Sequence, residues 1–183
     1  MSYCEISKGH PVHGPHHDAE YGRPVSRDDV LLERIALEIN QAGLSWLLIL
    51  KKRPALFEAF EGFDPDTVAG YGEAEIARLL ANAGIIRNRR KIEAVIENAK
   101  RVRAIRDSHG GLAAWLDEQH PMKLDDWVKR MRATFVFMGP EVVNEFLMST
   151  GYLPGAHDAD CPVGQEVAAL TPAWMRAAPP GGW

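Results

Sequence analysis

Apolar residues recur along this chain with the three-and-four spacing of helices, and alternating strand-like stretches are nearly absent. Residues 1–25 break that rhythm with Gly9, Pro11, Gly14, Pro15, Gly22 and Pro24, and read as an irregular arm. Ser26 with Asp29 has the form of a capping box opening a helix through about Ala42. Gly43 ends it, and Leu44–Lys52 predicts a short, nearly all-apolar helix. Pro54 then opens a turn carrying Phe57 and Phe60, and Asp64-Pro65 starts another short helix. Further helices are expected over Glu73–Asn82, about Asn88 to Arg106, 112–118, 124–134 and 140–150. Residues 151–164 read as a loop and 176–183 as a flexible tail. The fold class predicted is all-α, in one globular domain spanning 1–183.

Length and composition narrow the class. A chain of 183 residues buries about 70% of its unfolded surface. No apolar run reaches bilayer length and the N-terminus does not read as a signal peptide, so no membrane contact is expected and the cytoplasm is the expected compartment. There thiols stay reduced, which favours metal binding over a disulfide. A net charge of −4 argues against long-range attraction to nucleic acid by the chain as a whole. Its distribution changes that. Arg87, Arg89, Arg90, Lys91, Lys100, Arg101, Arg103 and Arg106 crowd one segment, opposed within it by only Glu93 and Glu97.

At the head of that segment, residues 76–92 place a helix end at Gly84, two inward-facing residues (Ile85 and Ile86) and a new helix. A helix start presents unpaired N–H groups at a positive dipole end, an arrangement that receives a phosphate without needing a side chain. A solvated basic face is the plain alternative; the Gly-Ile-Ile turn favours contact with a DNA backbone.

Two further groups carry chemistry. Glu38 falls on the same helical face as Leu31 and Ile35, so it points toward the core, where a carboxyl is costly unless paired or in use. Trp46 follows just past the helix break; alone it reads as core, but with Glu38 it could hold a flat cationic heterocycle by stacking and an edge hydrogen bond. The second group joins the chain ends. The only cysteines, Cys4 and Cys161, each lie near a histidine, His17 and His157. Cys2His2 is a ligand set for structural Zn²⁺, though two free thiols or a Cys4–Cys161 disulfide fit the spacing as well. His10, His109 and His120 read as surface residues, and Trp115 and Trp127 as packing residues.

Taken together, these blocks resemble the bacterial DNA-3-methyladenine glycosylase I family of helix-hairpin-helix glycosylases. The resemblance rests on Cys4, His17-Asp18-Ala19-Glu20-Tyr21-Gly22, Glu38 with Gln41-Ala42-Gly43-Leu44-Ser45-Trp46, Leu50-Lys51-Lys52-Arg53, Ala83-Gly84-Ile85-Ile86-Arg87-Asn88-Arg89 and His157-x3-Cys161. It implies a helix-hairpin-helix over 73–106 and one structural zinc on Cys4, His17, His157 and Cys161, joining arm 1–25 to loop 151–164. It also implies a base pocket of Glu38, Trp46, His16 and Tyr21 with Glu38 catalytic, and a DNA grip at Gly84, Ile85, Ile86, Arg87, Arg89 and Arg90. The implied substrate is double-stranded DNA containing alkylated bases, 3-methyladenine above all, acted on by a monomer. Asp18 or Glu20 would support His17 beside the metal. The chain departs from the family pattern in the arm, where Ile6, His13 and His16 stand at aromatic positions, and at Tyr21, where tryptophan is usual. Those departures leave room for altered lesion preference, or for a protein that binds distorted DNA without cutting it.

Overall fold

The computed structural model describes residues 2–183, and among them every regular element is helical. The centre is α3 (Asp28–Gln41), in which Leu31 to Asn40 are all buried. A helix enclosed on every side must face a neighbour on every side. Those neighbours are α4 (Trp46–Ala59), α5 (Pro65–Ala69), α7 (Arg89–His109), α8 (Leu112–Gln119) and α10 (Pro140–Ser149). Between α5 and α7 runs α6 (Glu73–Ala81), and α9 (Leu124–Thr134) packs on α10. Trp127, Phe60, Phe63, Phe135 and Phe146 fill the largest core positions, so Trp127 and Trp115 are packing residues as expected. No helix among the described residues is long and apolar enough to cross a membrane.

Several expectations are corrected. The arm 1–25 is not irregular: it holds α1 (Tyr3–Ser7) and α2 (His13–Ala19). Ser2 and Glu5 form a reciprocal capping box that starts α1. Pro15 is tolerated in the first turn of α2, where its missing N–H would have had no partner. The box expected at Ser26 and Asp29 is absent; Arg27 is the N-cap of α3 and its guanidinium pairs with Asp29. Asp28 instead accepts from the Leu112 amide at 2.7 Å, at the head of α8. The two helices expected either side of Pro54 are one, α4. Buried Ile49, Leu50, Leu56 and Ala59 flank the proline and hold the helix through a break that costs about 3 kcal/mol.

Near the C-terminus, the loop from 151 ends where Pro162 opens α11 (Pro162–Ala169). The tail expected from 176 starts inside α12 (Ala173–Arg176) and turns back, with Trp183 Nε1 donating to the Trp174 carbonyl at 3.1 Å. His120 is half-buried beside Tyr152 rather than on the surface.

Candidate active site and metal centre

A cavity of about 600 Å³ opens between the arm, α3, the start of α4, α10 and the loop at Gly155 and Ala156. Its walls include Tyr3, Ile6 and His13 from the arm, Tyr21, Glu38, Trp46, Glu145 and Met148. Ser45 sets the direction of Trp46: its hydroxyl accepts from the Leu48 amide, capping α4 so that the indole is the first helical side chain at the mouth. Trp46 Nε1 donates to Tyr3 Oη at 3.2 Å, which fixes both rings.

Glu38 lies in this cavity with 6% of its surface exposed. Among the described residues no side chain or amide hydrogen-bonds its carboxyl. Burial, and secondly the facing carboxyl of Glu145, push it up to about 8, with Arg34 opposing. An unpartnered buried carboxyl on the wall of a cavity is a candidate ligand-binding group.

His16 does not line the cavity as expected for a residue against the base. Its ring lies behind, 5.3 Å from the Trp46 ring and 5.8 Å from that of Tyr21. Both ring nitrogens are buried and unpartnered, and desolvation, with Arg34 adding to it, holds His16 down at about 3. It is therefore a neutral backing ring at pH 7. Sequence reasoning missed Tyr3 and Glu145. Tyr3 directly precedes the candidate ligand Cys4, and Glu145 sits beside the buried stripe Val142, Val143, Phe146 and Leu147, so each had a positional signal.

Next to this cavity, whose wall Cys4 also lines, Cys4, His17, His157 and Cys161 come together, with their ligand atoms within 4.8 Å of one another. His17 Nε2 lies 3.3 Å from Cys4 Sγ, 3.7 Å from Cys161 Sγ and 3.2 Å from His157 Nδ1. His157 Nδ1 lies 3.8 Å from each sulfur. Zinc bonds of about 2.0 Å to nitrogen and 2.3 Å to sulfur give tetrahedral edges of about 3.3–3.8 Å, close to the five donor separations that involve a histidine. The outer nitrogens are held as well. His17 Nδ1 lies 2.7 Å from Asp18 Oδ1, and His157 Nε2 lies 2.8 Å from the Tyr21 carbonyl oxygen. Burial pushes the Cys4 thiol up to about 11, and a metal bound there would draw it into the thiolate form.

Glu20 does not support His17. Its carboxylate takes the Arg53 guanidinium in two bonds of 2.7 and 2.8 Å and also pairs with Arg34, while Arg53 reaches Glu33 at 2.8 Å. This network ties the end of α2 to α3 and α4.

The hairpin between α6 and α7 lies where the sequence predicted it, although α6 ends at Ala81 rather than Gly84 and α7 runs on to His109. Ile85 is buried, and Lys52 Nζ donates to the Ala83 and Gly84 carbonyls at 3.2 and 3.1 Å. A side chain on Gly84 would meet the Ala55 Cβ at 3.0 Å, so the hairpin is pressed against α4. Asn88 caps α7 by accepting from the Lys91 amide at 3.2 Å, which leaves the first-turn amides of Arg89 and Arg90 facing outward. The basic segment is less free than its sequence implied. Arg89 pairs with Glu73 and Glu93, and Arg103 and Arg106 pair with Asp66. Lys91 is buried, with Nζ donating to the Asn40 and Ala42 carbonyls at 2.8 and 2.7 Å at the end of α3. Arg87 and Arg90 are exposed at the hairpin.

This geometry has close counterparts. The methyladenine glycosylase family model matches residues 6–131. A DNA-3-methyladenine glycosylase of Haemophilus influenzae is 34% identical over 167 residues, covering 80% of this chain and 89% of that protein. A variant of 3-methyladenine DNA glycosylase I solved in complex with 3-methyladenine superposes with a TM-score of 0.79 at 31% identity, covering 89% of this chain and 97% of that one. The Staphylococcus aureus 3-methyladenine DNA glycosylase I, whose structure addresses 3-methyladenine recognition, superposes with a TM-score of 0.78, again at 31% identity, covering 89% and 96%.

Proposed function

The chain belongs to the methyladenine glycosylase family, and from that premise we propose that it is a DNA-3-methyladenine glycosylase, which takes an alkylated adenine out of duplex DNA and hydrolyses its N-glycosidic bond. The observation that carries this reading is the unpartnered Glu38 carboxyl in a cavity faced with Trp46, Tyr3 and Tyr21. Methylation at N3 makes adenine a cation, weakens its bond to the sugar and lets it leave as a neutral base. Such a leaving group needs no strong general acid. It needs extrusion from the stack, a site for a flat cation, and water at the sugar.

In the free pocket Glu38 is largely protonated at pH 7. A cationic base beside it draws the carboxyl into its ionised form, and the two charges neutralise each other out of water. The Trp46 indole and the Tyr3 and Tyr21 phenols supply electron-rich faces for the same cation. His16, neutral behind Trp46, keeps that indole in place without repelling the base.

One zinc ion would sit on Cys4, His17, His157 and Cys161; four protein ligands close its shell, so its work would be to hold the arm against the loop that carries His157. The hairpin at Gly84–Arg90 would receive the DNA backbone through the Arg89 and Arg90 amides and the Arg87 and Arg90 guanidinium groups. The chain would act as a monomer in the cytoplasm, where reducing conditions keep both thiols available to the metal.

Release of free base from N-methylated duplex DNA, resolved chromatographically, tests the proposal with Glu38→Gln beside the parent. The parent should release 3-methyladenine while the variant binds the DNA and releases none. Equal release by the two proteins would remove the role assigned to Glu38.

A further inference from the structure

The base cavity holds a second carboxyl. Glu145 projects from α10 into the same cavity as Glu38 on α3, and Tyr21 Oη donates to its Oε2 at 3.2 Å. Asn144, its neighbour on α10, is the other polar side chain that bonds to it, and half-buried Glu145 has no basic partner among the described residues. The charged groups around the two carboxyls are Arg34, behind Glu38 on α3, and Glu141, one turn back from Glu145 on α10. Tyr3, Cys4, Tyr21, His13 and Asp158 complete the titratable groups of the cavity wall. Glu38 and Glu145 thus share one cavity, with exposed Asp158 also on its wall, against a single buried guanidinium, and Arg34 is already engaged with Glu20.

Two acids so placed repel when both ionise, and that repulsion is relieved by a cation between them. A neutral base brings no such relief. Exocyclic amino groups on the base edge, with two N–H donors, also match two acceptors on opposite walls better than one.

We propose that Glu145 is a second base-reading carboxyl, which sets the selectivity of this pocket for positively charged N-alkylated purines over neutral purines. The assignment rests on the cavity being the base site. It gives the pocket a polar determinant on α10, where the arm presents Ile6 and His13 in place of aromatic rings.

The test is binding to the metal-loaded protein, followed by calorimetry, of 3,9-dimethyladeninium, a fixed cation, against 9-methyladenine, its neutral counterpart. The parent should prefer the cation. In Glu145→Gln, which keeps a bonding partner for Tyr21, the preference should fall about tenfold, the order expected when a unit charge within about 10 Å is removed at an effective dielectric constant near 20. Glu145→Asp, which restores the charge, should recover most of the preference, and Glu145→Ser supplies a second neutral variant should Gln perturb folding. An unchanged preference in the neutral variants overturns the role of Glu145. The two readings separate cleanly. A parent that prefers the cation but releases no base from methylated DNA refutes the glycosylase activity and leaves the selectivity assignment standing; release with an unchanged preference does the reverse.

Discussion

Replacing Glu38 by glutamine should raise stability while abolishing base release. The carboxyl stands at about 8 in the folded protein against an ordinary 4.5. Below pH 4.5 it is protonated in the folded and unfolded chains alike and costs nothing. As pH rises, the unfolded chain ionises first, so stability is progressively lost until the pH passes about 8. The integrated cost is roughly 3 kcal/mol at pH 7 and roughly 4–5 kcal/mol above pH 9. Glutamine has the same shape and no charge, so the variant escapes this cost. For a chain of this size the gain at pH 7 corresponds to a rise of roughly 6–12 °C in Tm. Thermal or urea unfolding of the metal-loaded parent and variant from pH 4.5 to 9 measures it. The two curves should meet at the acid end and separate with rising pH. A variant no more stable than the parent at pH 8, or a difference that does not change with pH, would refute the description of Glu38 as a buried carboxyl without a partner.

Other parts of the molecule yield equally direct expectations. Cys161→Ser should take bound zinc from one per chain toward none and lower stability by several kcal/mol, because metal affinity of this kind is folding energy; metal analysis with thermal unfolding reads both, and a parent indifferent to chelator would contradict it. Glu20→Ala strands buried Arg34 and leaves Arg53 with Glu33 alone at the junction of α2, α3 and α4, and should cost roughly 3–5 kcal/mol in urea unfolding, with a loss below about 1 kcal/mol counting against the network. Arg87→Ala with Arg90→Ala should weaken DNA binding and reduce the slope of log affinity against log salt by about 2, leaving the order of preference among free bases unchanged. An unaltered slope would move the DNA contact away from this hairpin.

How legible each part was depends on how far apart its pieces lie. Glu38 was readable because its own helix places it with Leu31 and Ile35, and that face is buried. The hairpin was readable because its turn and both flanking helices are contiguous. Helices of five and seven residues carry too few apolar positions to show a period, so only Ser2 and Glu5 marked α1, and the glycines and prolines masked α2. Pro54 suggested a boundary because local sequence does not show the burial that carries α4 through it. The basic segment looked free because its acidic partners Glu73 and Asp66 come from α6 and α5. For Glu145 the local signal, its place beside the buried stripe of α10, marks only a position near the core; its meaning lies in sharing a cavity with Glu38, more than a hundred residues away in sequence.

The arm explains why the metal cluster and the ion-pair network belong to the same design as the pocket. Helices of five and seven residues are far below the roughly 12–15 that hold in water unaided. Yet they supply Tyr3, Ile6 and His13 to the cavity wall, and Tyr3 is the group that receives the Trp46 indole N–H. Their conformation must come from anchors. Cys4 and His17, one on each helix, reach His157 and Cys161, and Glu20 at the end of α2 grips Arg34 and Arg53. The anchors therefore stand at both ends of the segment that faces the cavity. A stacking site needs its walls fixed to within a fraction of an ångström, and here one wall is made of the least self-sufficient part of the chain. The anchors hold that wall through the backbone and through Cys4, His17 and Glu20, so the cavity-facing side chains Tyr3, Ile6 and His13 do not themselves carry the arm's fold.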